Sequence, residues 1–222
     1  MKVSLENIRQ NKAVQVIVVL ALAFFLYTMG CIGIIAPESR AEAVRLTPYT
    51  IILSFLVAMI FAKLSFEFKT ILVFLAIAIS GYFIEAAGVN TGKIFGDYDY
   101  GKTLGLSILN TPIIIGLNWL FLVYASSSIF EKYPIHNIYT IILASLVMLV
   151  YDLFLEQAAP KLDMWYWKNS IVPLQNYVAW FVIAVVFHSI VKRYRINTKN
   201  PVAPWILLCQ FVFFLALYLF LK

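Results

Sequence analysis

The sequence predicts an all-α polytopic membrane bundle of about seven transmembrane helices, forming one domain over residues 1–222. Three observations carry this expectation. Of the 222 residues, 63% are apolar and only 13% are charged. The mean hydropathy is +0.88, far outside the range of soluble domains. Apolar runs near the roughly 20 residues a membrane helix needs recur at 14–35, 46–62, 71–86, 104–130, 138–158, 172–191 and 201–221.

The first run follows Lys2, Arg9 and Lys12 and so imitates a signal peptide. It is longer than a signal core and lacks a small-residue cleavage site, which predicts a retained membrane helix. The first and last runs carry little evidence of function.

Alternating helix directions place the three longer connections, 36–46, 87–103 and 159–171, on one face. The opposite face carries ten basic residues, among them Lys63, Lys69, Lys132 and the KRYR cluster at 192–195, against seven on the loop-rich face, Lys222 included. The positive-inside rule then predicts a multi-pass protein of the cell (inner) membrane with a cytoplasmic N-terminus. KRYR itself reads as an interfacial anchor to membrane lipid.

The net charge of +6 sits in loops and does not indicate nucleic acid. Cys31 and Cys209 lie in apolar segments near opposite ends of the chain, so neither a disulfide framework nor a CxxC site is expected. His136 and His188 are too few for a multi-histidine iron site, so no metal is predicted. His188, near the basic end of the sixth span, is expected at the interface.

Only three of the eleven carboxylates fall within predicted spans: Glu85 near the end of the third, and Asp152 and Glu156 near the end of the fifth. A carboxylate at the bilayer centre costs about 2.5–3.5 kcal/mol, so such groups face the protein interior and mark function. On a helical wheel Ser145, Asp152 and Glu156 fall within about 40° of one another. Ser107, Asn110, Thr111 and Asn118 are expected as one polar stripe on the fourth span, and Asn176, Trp180 and Phe187 share a face of the sixth. A pocket opening toward the long loops would gather the three carboxylates, Asn118 and Asn176 with Trp119, Trp165, Trp167 and Trp180.

Two carboxyl groups in an apolar cavity repel and are desolvated, an arrangement that favours one neutral acid beside one charged base. Aromatic faces stabilise a cation without offering a nucleophile to trap it. These parts suit protonation of an alkene. The stretch NTGKIFGDYDYG at 90–101 joins the third and fourth spans, and its glycines allow the backbone to fold over the pocket mouth. Phe95, Tyr98 and Tyr100 would line that mouth, while the alternating Asp97 and Asp99 face solvent.

Between Glu85 and Trp180 the chain resembles the CruF-type carotenoid 1,2-hydratases. The resemblance rests on Glu85 followed by Gly88, Thr91, Gly92, Phe95, Gly96, Tyr98 and Tyr100, then Leu104, Gly105, Pro112 and Trp119. It continues through Asp152, Phe154, Leu155 and Glu156, the Trp165–Trp167 pair, and Pro173, Asn176 and Trp180. Tyr151 and Gln157 depart from the family's WD.FLDP element.

The resemblance implies cofactor-independent hydration of the C1=C2 bond of an acyclic end group in a lycopene- or γ-carotene-type carotenoid. It implies Asp152 or Glu156 as the acid, with the other carboxylate or Glu85 as the base. Trp119, Trp165, Trp167, Trp180 and Tyr98 would stabilise the cation, and Asn118 and Asn176 would orient water. Two other readings stay open: a cyclase quenching the same cation with an internal alkene, and a transporter or lipophile-binding protein using its buried carboxylates as proton relays. A retinal protein is excluded by the lack of a lysine within the seventh span.

Overall fold

The computed structural model of the protein describes residues 12–62 and 67–221; Lys2, Arg9, Lys63 and Lys222 of the charge tally lie outside the described residues. The apolar runs become α1 (Lys12–Ile35), α3 (Thr47–Ile60), α4 (Phe68–Thr91), α5 (Ile114–Phe130), α6 (Asn137–Ala158), α7 (Leu174–Arg193) and α8 (Ala203–Phe220). A short α2 (Arg40–Arg45) fills the first long connection. The fold is the expected all-α membrane bundle.

Among the described residues five helices, α1, α4, α6 with its 3-10 extension, α7 and α8, are long and apolar enough to cross a membrane. Two of the about seven expected spans are shorter helices among the described residues. Helix α3 has 14 residues and α5 has 17, and at 1.5 Å per residue α3 covers about 21 Å of a roughly 30 Å hydrocarbon core. Helix α5 is nonetheless the centre of the bundle. Residues 119–128 are buried without a break, and α5 packs against α3, α4, α6, α7 and α8. A helix apolar on all sides belongs inside such a bundle.

The α4–α5 contact depends on small residues. A Cβ on Gly81 would stand 2.8 Å from Trp119 Cβ, and one on Gly116 would stand 2.5 Å from the Ala78 carbonyl oxygen. Small residues commonly admit such close approach between membrane helices. Helix α1 is peripheral: Ile34 is its one buried residue among those described, and it leans on α8.

The predicted fourth span starts ten residues too early. Before α5 the chain forms a hairpin of β2 (Ser107–Ile108) and β3 (Thr111–Pro112). Its turn residues Leu109 and Asn110 both have positive φ, 52° and 58°, as a two-residue hairpin connection of the I′ kind requires. Tyr82 Oη donates to the Ile108 carbonyl at 2.6 Å and Asn90 Nδ2 donates to the Leu109 carbonyl at 2.8 Å, holding the hairpin on α4. Ser107, Asn110 and Thr111 therefore form no helical stripe with Asn118.

Helix α4 also outlasts its apolar run. It continues to Thr91 and ends at Gly92 in the left-handed region, φ 65°. Glu85 is thus well inside the helix rather than near its end.

His188 is a further correction. It is buried at 1% exposure, with Nε2 2.9 Å from Ser126 Oγ and Nδ1 3.0 Å from Ser145 Oγ and 2.7 Å from the Ala184 carbonyl. The basic end of α7 lies one turn further on, where Lys192 pairs with Glu131 at 2.7 Å. Part of KRYR thereby turns inward toward the end of α5.

Candidate functional site

Two of the long connections meet as a two-stranded antiparallel ladder, β1 (Tyr98–Tyr100) with β4 (Trp165–Trp167), pairing Tyr98 with Trp167, Asp99 with Tyr166 and Tyr100 with Trp165. Alternation along a strand sends successive side chains to opposite faces. Tyr98, Trp165 and Trp167 are buried and Tyr100 is half-buried, whereas Asp99 and Tyr166 are exposed. The inner face is therefore an aromatic platform carrying four hydrogen-bond donors.

Those donors serve two glutamates. Tyr98 Oη and Tyr100 Oη donate to Glu85 Oε2 at 2.6 and 3.1 Å, and Trp119 Nε1 donates to Glu85 Oε1 at 3.1 Å. Trp165 Nε1 and Trp167 Nε1 donate to Glu156 Oε2 at 2.9 and 2.7 Å, and Asn176 Nδ2 donates to Glu156 Oε1 at 3.1 Å. Each carboxylate receives two donors on Oε2 and one on Oε1. A carboxylate offers about four acceptor positions, so each keeps one open on Oε1. Burial, reinforced by the adjacent Glu85 carboxylate, holds the Tyr98 and Tyr100 phenols well above their ordinary pKa, so both remain donors.

The Asn176 amide nitrogen also donates to Asp152 Oδ2 at 3.1 Å, bridging the two acids of α6. Asp152 is fully buried, and its Oδ1 is the one buried side-chain polar atom without a hydrogen-bond partner among the described residues. An unsatisfied buried acceptor costs about 1–3 kcal/mol.

The glutamates open on a cavity of about 410 Å³. Eleven of the twelve residues singled out in the sequence line it: Glu85, Phe95, Tyr98, Tyr100, Asn118, Trp119, Glu156, Trp165, Trp167, Asn176 and Trp180. Trp119 and Trp180 stack with centroids 4.3 Å apart, and Asn118 lines the wall with no side-chain partner among the described residues. The exception is Asp152, which lies behind the Glu156–Asn176 wall. Ser145, expected beside it, turns instead to His188.

The remaining wall comes from α1, α3 and α8, which carry no motif, together with Tyr151 of α6. Tyr27 of α1 bonds Ser54 of α3 at 2.7 Å, Gln210 Nε2 of α8 donates to Tyr27 Oη at 2.9 Å, and Tyr151 Oη donates to Gln210 Oε1 at 3.4 Å. Tyr27, Tyr151 and Gln210 line the cavity. Tyr27, Ser54, Tyr151 and Gln210 are polar residues inside apolar runs, which is the signal the sequence offered for this wall.

Fold and site together define a polytopic helical membrane protein enclosing an aromatic-lined cavity with two buried glutamates, each held by three donors. The chain belongs to the carotenoid biosynthesis protein family, whose pattern it matches over residues 46–222. That span runs from α3 through α8, wider than the block from Glu85 to Trp180, and leaves α1 and α2 outside. No curated protein and no solved structure matches the chain.

Proposed function

We propose that the protein is a carotenoid 1,2-hydratase, adding water across the C1=C2 bond of an acyclic carotenoid end group without a cofactor. Membership in the family supports a role in carotenoid biosynthesis. The observation that carries the finer reading is the pair of glutamates, each held by three donors and each with one Oε1 position open to the same aromatic cavity.

Glu156, protonated at that open position, transfers its proton to C2 as the alkene's electron pair forms the new C–H bond. The tertiary cation left at C1 is faced by the stacked Trp119 and Trp180 and by the Trp165, Trp167 and Tyr98 rings, whose π faces attract positive charge. Water adds through oxygen to C1, its proton passes to Glu85, and return of that proton to Glu156 through a further water in the cavity restores the starting state. Asn118 and Asn176 orient the water and the acid.

Asp152 acts from behind the wall. Through Asn176, whose amide donates to both acids, it fixes the orientation of Glu156. The three connections face away from the cytoplasm in this reading, with the N-terminus inside.

Expression in cells that accumulate lycopene or γ-carotene tests the assignment. The expected result is a 1-hydroxy product heavier than its precursor by one water. A product of unchanged mass would identify a cyclase, and no conversion of any acyclic end group would overturn the enzymatic reading.

A further inference from the structure

The cavity is not closed on every side. Leu26 and Met29 of α1, Leu46 at the start of α3, and Tyr49 and Leu53 of α3 line it while being 47–68% exposed. A residue can do both only where the cavity reaches the outer surface, so an opening lies between α1 and the α2–α3 segment. All five side chains are large and chiefly apolar. A short helix roofs one end: Arg40 of α2 donates to the Ile34 and Ile35 carbonyls at the end of α1 at 2.8 and 3.3 Å. Deeper in, the Tyr27–Ser54–Gln210 hydrogen bonds fix α1 to α3 and α8.

The geometry points to a lateral binding groove between α1 and α3 that holds the polyene arm of the substrate while its end group occupies the glutamate cavity. This rests on the hydratase reading and extends it to the rest of the substrate. A volume of about 410 Å³ lies in the lower part of the roughly 300–1,000 Å³ typical of sites for drug-sized ligands. The conjugated chain of a forty-carbon carotenoid is rigid and cannot coil into that space. Its length is comparable with the roughly 30 Å thickness of the hydrocarbon core, so the arm must leave through an opening that is itself apolar.

The occupant is a long, stiff isoprenoid entering from the bilayer, not from water. The α1 wall of the groove lies outside the family match, which begins at residue 46.

The test uses the full chain in lipid nanodiscs and compares lycopene with a ten-carbon acyclic isoprenoid that ends in the same alkene. Leu53→Trp and Gly30→Trp narrow the opening; Gly30 lines the cavity, and a Cβ there meets only Phe213, at 3.7 Å. Leu56→Trp, on α3 and exposed but outside the cavity, is the control. The ratio of kcat/KM for lycopene to that for the short substrate should fall at least tenfold in the first two variants and hold in the control. An unchanged ratio in all three overturns the groove.

A second readout is independent of turnover. Quenching of the cavity tryptophans by bound lycopene should develop at least fivefold more slowly in Leu53→Trp than in Leu56→Trp. Equal rates would overturn the groove even if the protein hydrates lycopene. Slowed binding without any product would retain the groove and overturn the hydratase reading.

Discussion

Tyr98 and Trp167 face each other across the β1–β4 ladder with ring centroids 5.0 Å apart, yet they donate to different carboxylates, Tyr98 to Glu85 and Trp167 to Glu156. One cross-strand pair thus sets the orientation of two acids carried by different helices, α4 and α6. Any displacement of the ladder moves both supports together. The connection between two membrane helices has become a structural part of the candidate site.

Trp167→Phe keeps the ring and removes the N–H from Glu156. Hydrogen bonds to charged groups contribute about 1.5–3 kcal/mol, and each 1.4 kcal/mol corresponds to a factor of about ten. Hydroxylated product should form about 10- to 100-fold more slowly, with an unchanged amount of folded protein in the membrane. Tyr98→Phe should act similarly through Glu85. Wild-type rates in both variants would remove the platform from the mechanism.

The three acids separate by position. Glu156→Gln and Glu85→Gln should each lower turnover by about 10²- to 10⁴-fold, the usual contribution of a general acid or base. Asp152→Asn should lower it less than either, because Asp152 does not line the cavity and acts through Asn176. Carotenoid profiles of membranes carrying each variant give the order. A larger loss in Asp152→Asn than in Glu156→Gln would reverse the proposed roles.

The sequence disclosed most of this site because buried carboxylates, paired tryptophans and glycine-rich connections are rare in apolar chains, and each lay where alternating helices bring one face together. Its errors have physical causes. Leu109–Asn110 makes a hairpin turn without the Asn-Gly or Asp-Gly signature, and hydropathy reads the flanking Leu104, Leu106, Ile108 and Ile113 as helix. His188 can be buried because Ser126 and Ser145, distant in sequence, supply partners beside the nearby Ala184 carbonyl. The Tyr27–Gln210 wall depends on a contact across 183 positions, which no local pattern encodes.

Gly88 tests the connection as a lid. A Cβ there would come within 2.4 Å of the Phe95 ring, and Phe95 is 1% exposed and packed edge-on to Tyr98. Gly88→Val must displace Phe95 and, through it, Tyr98. Overpacking of this kind costs about 1–3 kcal/mol. The expected result is a lowered Tm in detergent and product loss greater than for Tyr98→Phe. A variant with normal Tm and full turnover would show that Phe95 does not position the ladder.

His188 separates stability from chemistry. His188, Ser126 and Ser145 are buried together among α5, α6 and α7, and none of them lines the cavity. In His188→Leu both serines keep acceptors, Ser126 the Leu122 carbonyl at 2.6 Å and Ser145 the Ile141 carbonyl at 2.8 Å. The change therefore removes the ring contacts to Ser126, Ser145 and the Ala184 carbonyl without stranding either hydroxyl donor, and about 1–2 kcal/mol of stability should be lost. Thermal unfolding should register this as a lower Tm, while kcat and KM of the remaining folded protein stay at wild-type values. A His188→Leu protein of normal Tm that makes no product would place the histidine in the reaction and require a proton path from α7 to the cavity.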